Sequence, residues 1–163
     1  MSSESKWSGS SKSGLMNTIT VSKKTTLLLP HHRFEMENNH VEITIMTPVN
    51  VTEDRQKVIF SLNNIFPKSE LIEKKNTISI KEHDFKVLEK LKEKIKSKKS
   101  LAVLQRILYN NYHMENTWFL INKQAAFVDV VALIENENES PLGPIKISIT
   151  GCNLEVVNEW FES

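Results

Sequence analysis

The chain holds a single cysteine, Cys152, among its 163 residues. With no second cysteine an intrachain disulfide is impossible. That excludes a disulfide-stapled secreted scaffold and predicts a reducing, cytoplasmic setting. Glycine is nearly as scarce, with only Gly9, Gly14, Gly143 and Gly151 present. None of them forms the glycine-rich loop that cradles the phosphates of a nucleotide. No apolar run approaches the ~18 residues that span a bilayer, so no membrane association is expected. The best N-terminal run is Leu27–Leu29, too short for the apolar core of a secretory signal. The five histidines, His31, His32, His40, His83 and His113, include no pair at helical i, i+4 spacing and no neighbouring cysteine pair, so a zinc site lacks its ligands. Glu135, Glu137 and Glu139 alternate with amides, but without calcium-loop spacing or an internal glycine they predict a solvated loop. No base, nucleophile and oxyanion donor can be assembled. Neither an enzyme nor a cofactor is expected.

What remains is a globular composition. Apolar residues make up 39% of the chain and charged residues 25%, which fits one packed domain. The net charge of +1 hides a strong segregation. Residues 81–106 hold nine basic and four acidic residues, a net +5, whereas residues 129–163 hold one basic and seven acidic, a net −6. Such a chain can turn a basic face to a polyanion and keep acid elsewhere, or it can simply carry a solvated helix beside an acidic tail. Residues 1–14 are a Ser/Gly/Lys tract with only Trp7 to bury, so residues 1–35 are expected to be a disordered or weakly ordered extension. A single domain is expected over residues 38–163.

Within it, His40–Thr47 alternates apolar and polar residues, the pattern of a half-buried strand ended by Pro48. Thr52 is placed to cap a helix with the stripe Val58, Ile59, Leu62 and Ile65, which Pro67 stops. Glu70–Lys74 and Thr77–Lys81 predict a hairpin about Lys75-Asn76. Asp84 should cap a helix carrying Phe85, Leu88, Leu91 and Ile95, and a further helix follows through Leu101, Leu104, Ile107 and Leu108. Thr117–Ile121 reads as a strand, Asn122–Ala126 as a short loop, and the apolar run Phe127–Ile134 as another strand. After a rigid turn at Pro141–Pro144, Ile145, Ile147 and Ile149 alternate in a last strand, and Asn153 caps a final helix. Irregularly interleaved elements with short hairpins predict an α+β domain, a largely antiparallel sheet with helices packed on one face.

Two features point to a polyanion. Lys86, Lys90 and Lys94 recur every four residues and run into Lys92, Lys96, Lys98 and Lys99, so positive charge peaks over Lys92–Lys99. Lysines there, with Arg106, are placed to meet phosphates. In Asn122-Lys123-Gln124, the amides can read base edges or a ribose hydroxyl and Lys123 can meet a phosphate. The same three residues can instead satisfy backbone groups in a tight turn, with Ala125 and Ala126 packing where a strand crosses a helix. Trp118, Tyr109 and Tyr112 are the candidate stacking aromatics, each expected in the core. That favours recognition of structured RNA by shape and backbone over single-strand readout.

Phe119–Ala126, reading Phe-Leu-Ile-Asn-Lys-Gln-Ala-Ala, and Glu139–Ile145, reading Glu-Ser-Pro-Leu-Gly-Pro-Ile, together resemble the UPF0201 (DUF54) family of small archaeal RNA-binding proteins. Val41–Ile45, Pro48, Thr52–Asp54, Asn64–Pro67 and Gln105–Leu108 extend the likeness over about residues 40–162. The resemblance implies a fold like that of ribosomal protein L5 and a non-catalytic RNA-binding role. One departure stands out. Where the family pattern leads us to expect a glycine after the Ala-Ala pair, this chain has Asp129, which brings negative charge to the loop. The rival reading is a protein-interaction module or homodimer without nucleic-acid binding, in which the acidic tail of one molecule docks on a basic helix.

Overall fold

The computed structural model describes residues 40–163. The expected extension over residues 1–35 lies outside the described residues. Strand β1, Glu42–Pro48, buries Ile43, Ile45 and Thr47 on one face and turns Glu42, Thr44 and Met46 to the other, as its alternation requires. Helix α1, Arg55–Ile65, buries Val58, Leu62 and Ile65. Its cap is Asp54, whose carboxylate accepts the Gln56 N–H at 3.0 Å, rather than the Thr52 expected from sequence. A hairpin follows, with β2 only Ile72–Glu73 and β3 Thr77–Glu82. Asp84 caps the next helical segment as expected, through the Lys86 N–H. That segment begins as a 3₁₀ turn, Phe85–Leu88, and continues as α2, Glu89–Ser97. Helix α3 spans Leu101–Asn111 and strand β4 Asn116–Ile121.

The next segment departs from the expectation of a loop followed by a long strand. Lys123–Phe127 forms a short helix, α4, capped by Asn122 through the Ala125 N–H at 2.8 Å. Only Leu133–Ile134 forms strand, β5. A 3₁₀ turn at Glu137–Glu139 leads to β6, Ile145–Thr150, and then α5, Leu154–Glu162, with the expected Asn153 cap.

The six strands form one sheet in the order β2-β3-β1-β6-β4-β5, every neighbouring pair antiparallel. Ile43, Ile45, Ile78, Ile80, Ile147 and Phe119 are wholly buried on one face. The helices' Leu62, Leu91, Leu104 and Phe161 are buried with them. Each such side chain contributes about 1.5–3 kcal/mol on leaving water. The opposite face carries Thr44, Lys81, Ser148 and Trp118 in one cross-strand row, none of them buried. This is the expected α+β arrangement. No helix among the described residues is long and apolar enough to cross a membrane.

Candidate nucleic-acid interface

Because Asn122 starts α4, Lys123 lies in the first turn of that helix and points inward. Its Nζ donates to the Pro48 carbonyl at 2.7 Å, the Leu142 carbonyl at 2.9 Å, and Glu53 Oε1 and Oε2 at 2.9 and 3.1 Å. An ammonium has three N–H groups, and all are engaged. Glu53 Oε1 also accepts the backbone N–H and the side-chain amide of Asn50, each at 3.0 Å. That amide in turn reaches the Leu142 carbonyl at 2.7 Å. Gly143 packs on Pro48 with φ +91°, so a Cβ there would be strained and would overlap the proline ring. Three of the segments that carried the family resemblance therefore meet at one buried point: Pro48–Glu53, Asn122–Lys123 and Ser140–Pro144. This corrects two expectations. Lys123 is 3% exposed and saturated, so it is a structural cation and not a phosphate ligand. The Asn122 carbonyl oxygen is a helix cap. Gln124 alone of the three is exposed.

The lysines of α2 divide in a similar way. Lys92 is 8% exposed. Its Nζ lies 4.3 Å from the centre of the Trp160 ring and donates to the Trp160 carbonyl and Ser163 Oγ at 3.4 and 3.3 Å. Lys96 reaches the Glu162 carbonyl at 3.3 Å. Both therefore add donors at the last carbonyls of α5, where the Trp160 carbonyl also accepts the Ser163 N–H and hydroxyl. Lys92 is thus removed from the predicted phosphate contacts by burial. Lys98 donates to the Val131 carbonyl at 2.9 Å, and Arg106 pairs with Glu135. Lys99 is exposed, with φ +56° and no carboxylate in ion-pairing range among the described residues. A carbonyl partner fixes an ammonium without cancelling its charge. Lys96, Lys98 and Lys99 thus meet no carboxylate among the described residues and keep their charge at the surface, whereas Arg106 does not.

Asp129 sits between these two regions. It takes φ +62°, the left-handed conformation that favours glycine and that aspartate tolerates better than most residues. Its carboxylate receives Lys90 at 3.2 Å and Lys94 at 3.4 Å, and its carbonyl receives Lys94 at 2.7 Å. Partial burial pushes the carboxyl up, but the hydrogen bonds and charges of the two lysines outweigh that and hold it below its ordinary value.

Residues 124–131 thus form a ridge between α1 and α2. Phe127, Val128 and Val130 are 38%, 66% and 39% exposed. The ring of Phe60, half-exposed on α1, lies 5.4 Å from that of Phe127, tilted by 60°. Asn64 ties α1 to α4 by donating to the Ala126 and Phe127 carbonyls at 2.9 and 3.0 Å. Lys57, Gln124 and Phe127 share the lining of a cavity of about 400 Å³ at the N-terminal ends of α1 and α4. Apolar and aromatic side chains are thereby flanked by Lys57 on one side and by Lys98 on the other. The sequence reading missed Lys57, Phe60 and Phe127. Lys57, Phe60 and Asn64 recur at helical spacing off the buried stripe of α1, and that was the available signal. Of the aromatics considered, Tyr109 is 71% exposed, contrary to expectation, and Trp118 is half-buried on the opposite sheet face under Lys146.

Comparison with known proteins now identifies the chain's relatives. A family model described as RNA binding matches residues 42–150. The UPF0201 protein of Sulfurisphaera tokodaii is 30% identical over 123 residues, 73% of this chain and 85% of that one. The UPF0201 protein of Pyrobaculum arsenaticum is 32% identical over 127 residues, 74% of this chain and 87% of that one. The crystal structure of the UPF0201 protein from Methanococcus jannaschii, 30% identical, has a TM-score of 0.63 and is covered over 99% of its length by 75% of this chain. A DUF54 protein from Sulfolobus solfataricus, at 16% identity and a TM-score of 0.54, covers 74% of this chain and 94% of its own and shares the fold. The chain belongs to the UPF0201 family.

Proposed function

We propose that this protein is a non-catalytic, cytoplasmic RNA-binding module that holds structured RNA across the ridge between α1 and α2. The observation that carries the reading is the pairing of exposed aromatic and amide groups, Phe60, Phe127 and Gln124, with lysines whose charge no carboxylate cancels among the described residues. Lys96, Lys98 and Lys99 supply phosphate contacts on one side and Lys57 on the other. Phosphate contacts set affinity and register, and the exposed amide and rings supply local selectivity. Membership of a family described as RNA binding supports the same reading. The test is titration with a stem-loop RNA at two salt concentrations. Affinity should fall as salt rises, by roughly 0.7–0.9 in log–log slope per phosphate contact. Changing Lys96, Lys98 and Lys99 together to Glu should abolish binding while leaving the fold intact. Absence of binding at low salt would overturn the proposal.

One observation favours a second reading. Val128 and Val130 are large apolar side chains exposed beside each other, which suits a protein partner or a second copy of the chain. A strictly monomeric protein in light scattering at low and high salt would remove the self-association version.

A further inference from the structure

We infer that the outer face of α3 takes one unpaired nucleotide of the RNA, with its base stacked on Tyr109 and its phosphate on Arg106. The inference rests on the RNA-binding reading and extends the footprint beyond the ridge. The helix buries Leu104, Ile107 and Leu108 and turns Ala102, Val103, Arg106, Tyr109 and Asn110 to the surface. That division follows the 3.6-residue period of a helix with one apolar stripe. Tyr109 is 71% exposed, and its ring stacks on no other aromatic among the described residues. A single exposed ring is ordinary on a protein surface. What marks this one is its company.

Arg106 precedes Tyr109 by three residues, so the two side chains are neighbours on the helix surface, with Cβ atoms about 5–6 Å apart. Asn110 stands exposed beside them and offers an amide donor and acceptor to a base edge. The helix carries no carboxylate of its own, and Lys98 and Lys99 stand exposed just before its first turn. The face thus has cations at one end and an aromatic platform near the other. Glu135 is the carboxylate that pairs with Arg106, and among the described residues it engages one of the five guanidinium N–H donors. The two side chains are 56% and 58% exposed, and an ion pair so open to water holds its partners weakly. A phosphate can take two parallel bonds from a guanidinium, so it can join or displace Glu135. Besides Tyr109, the large apolar side chain exposed on the helix is Val103, at 38%. That is too little for the apolar centre of a protein interface. A nucleotide needs only one ring for its base and one cation for its phosphate.

The experiment titrates the full chain with two RNAs, a blunt stem-loop and the same stem-loop extended by a short single-stranded tail at each end. The tailed RNA should bind at least about fivefold more tightly at low salt, the least that one stacked base supplies. Tyr109→Ala should remove that gain, Tyr109→Phe should keep it, and both should bind the blunt RNA as the parent does. Alanine suits an exposed helical position, so the fold is left intact. Arg106→Gln should lower the salt slope for the tailed RNA by about 0.7, one single-strand phosphate contact, and leave the blunt slope unchanged. Equal binding of the two RNAs by the parent, a tail gain that survives Tyr109→Ala, a loss shared equally by the blunt RNA, or an unchanged slope in Arg106→Gln would overturn the inference. So would a Tyr109→Ala variant that binds both RNAs as the parent does but has a lower molar mass in light scattering, which assigns the face to a second copy of the chain. Stem-loop binding without a tail gain sinks the α3 contact and spares the RNA reading. Binding of neither RNA at low salt sinks the RNA reading and the contact with it.

Discussion

Lys123 and Lys98 both donate to a backbone carbonyl at close range, yet they do opposite things. Lys123 lies in a buried hub with two carbonyls and an ion-paired carboxylate around it, and its side chain is 4% exposed. Lys98 is exposed and meets one carbonyl, that of Val131. In the hub the charge is neutralised in place and holds three separate chain segments together. At the end of α2 the carbonyl positions the amine and leaves its charge to act on the solvent side. The contrast shows that a lysine's availability to a ligand is decided by its burial and by whether its partner is an anion, not by the local density of lysines.

The comparison can be broken most forcefully at the hub. Lys123→Met leaves Glu53 buried without its cation and takes the ammonium donor from the Pro48 and Leu142 carbonyls, of which Leu142 keeps the Asn50 amide. Removing one member of a buried pair costs about 3–5 kcal/mol, a large part of a domain's stability. We expect a collapse of the denaturation midpoint, and only partial recovery in Lys123→Met with Glu53→Leu, because the Pro48 carbonyl stays without the ammonium and Asn50 loses the carboxylate it donates to. RNA affinity per folded molecule should hardly change. Lys98→Ala with Lys99→Ala should give the opposite pattern: stability within about 0.5 kcal/mol of the parent, and a salt slope for stem-loop binding reduced by roughly one to two. If Lys123→Met instead lost RNA affinity at full stability, the division between the two regions would be wrong.

That division was only half legible in the sequence. Alternation revealed β1 and β6, and helical spacing revealed α1 and α5, because those elements are long enough to show a period. The run Phe127–Ile134 was misleading. A continuous apolar stretch has no period, and it reads as a buried strand although Phe127, Val128 and Val130 stand in solvent. Five residues are too few for a helical pattern in α4, and its one clear signal was Asn122 as a cap. The lysines of α2 were visible as a run. Their partners were not, because the Trp160, Glu162 and Val131 carbonyls lie on other elements and carry no side-chain signature.

Asp129 connects the two regions and offers the finest test. Its carboxylate neutralises Lys90 and Lys94 beside the ridge. Asp129→Gly keeps the left-handed backbone without strain and removes the carboxylate that neutralises both amines, so stem-loop affinity should rise by a few-fold at low salt and little at high salt. Asp129→Asn should produce most of the same rise, since the charge and not the backbone is at issue. The stability effect is smaller and has a definite sign. Because the lysines hold this carboxyl below its ordinary value, its contribution is present above the unfolded carboxyl's pKa of about 3.9 and fades as pH falls through the folded value. The group is half-exposed, so solvent screening keeps that contribution small. Denaturation midpoints of the parent and Asp129→Asn should therefore differ slightly at neutral pH and converge in acid. Midpoints that diverge as the pH is lowered would mean that Asp129 is not the anion that masks this side of the ridge.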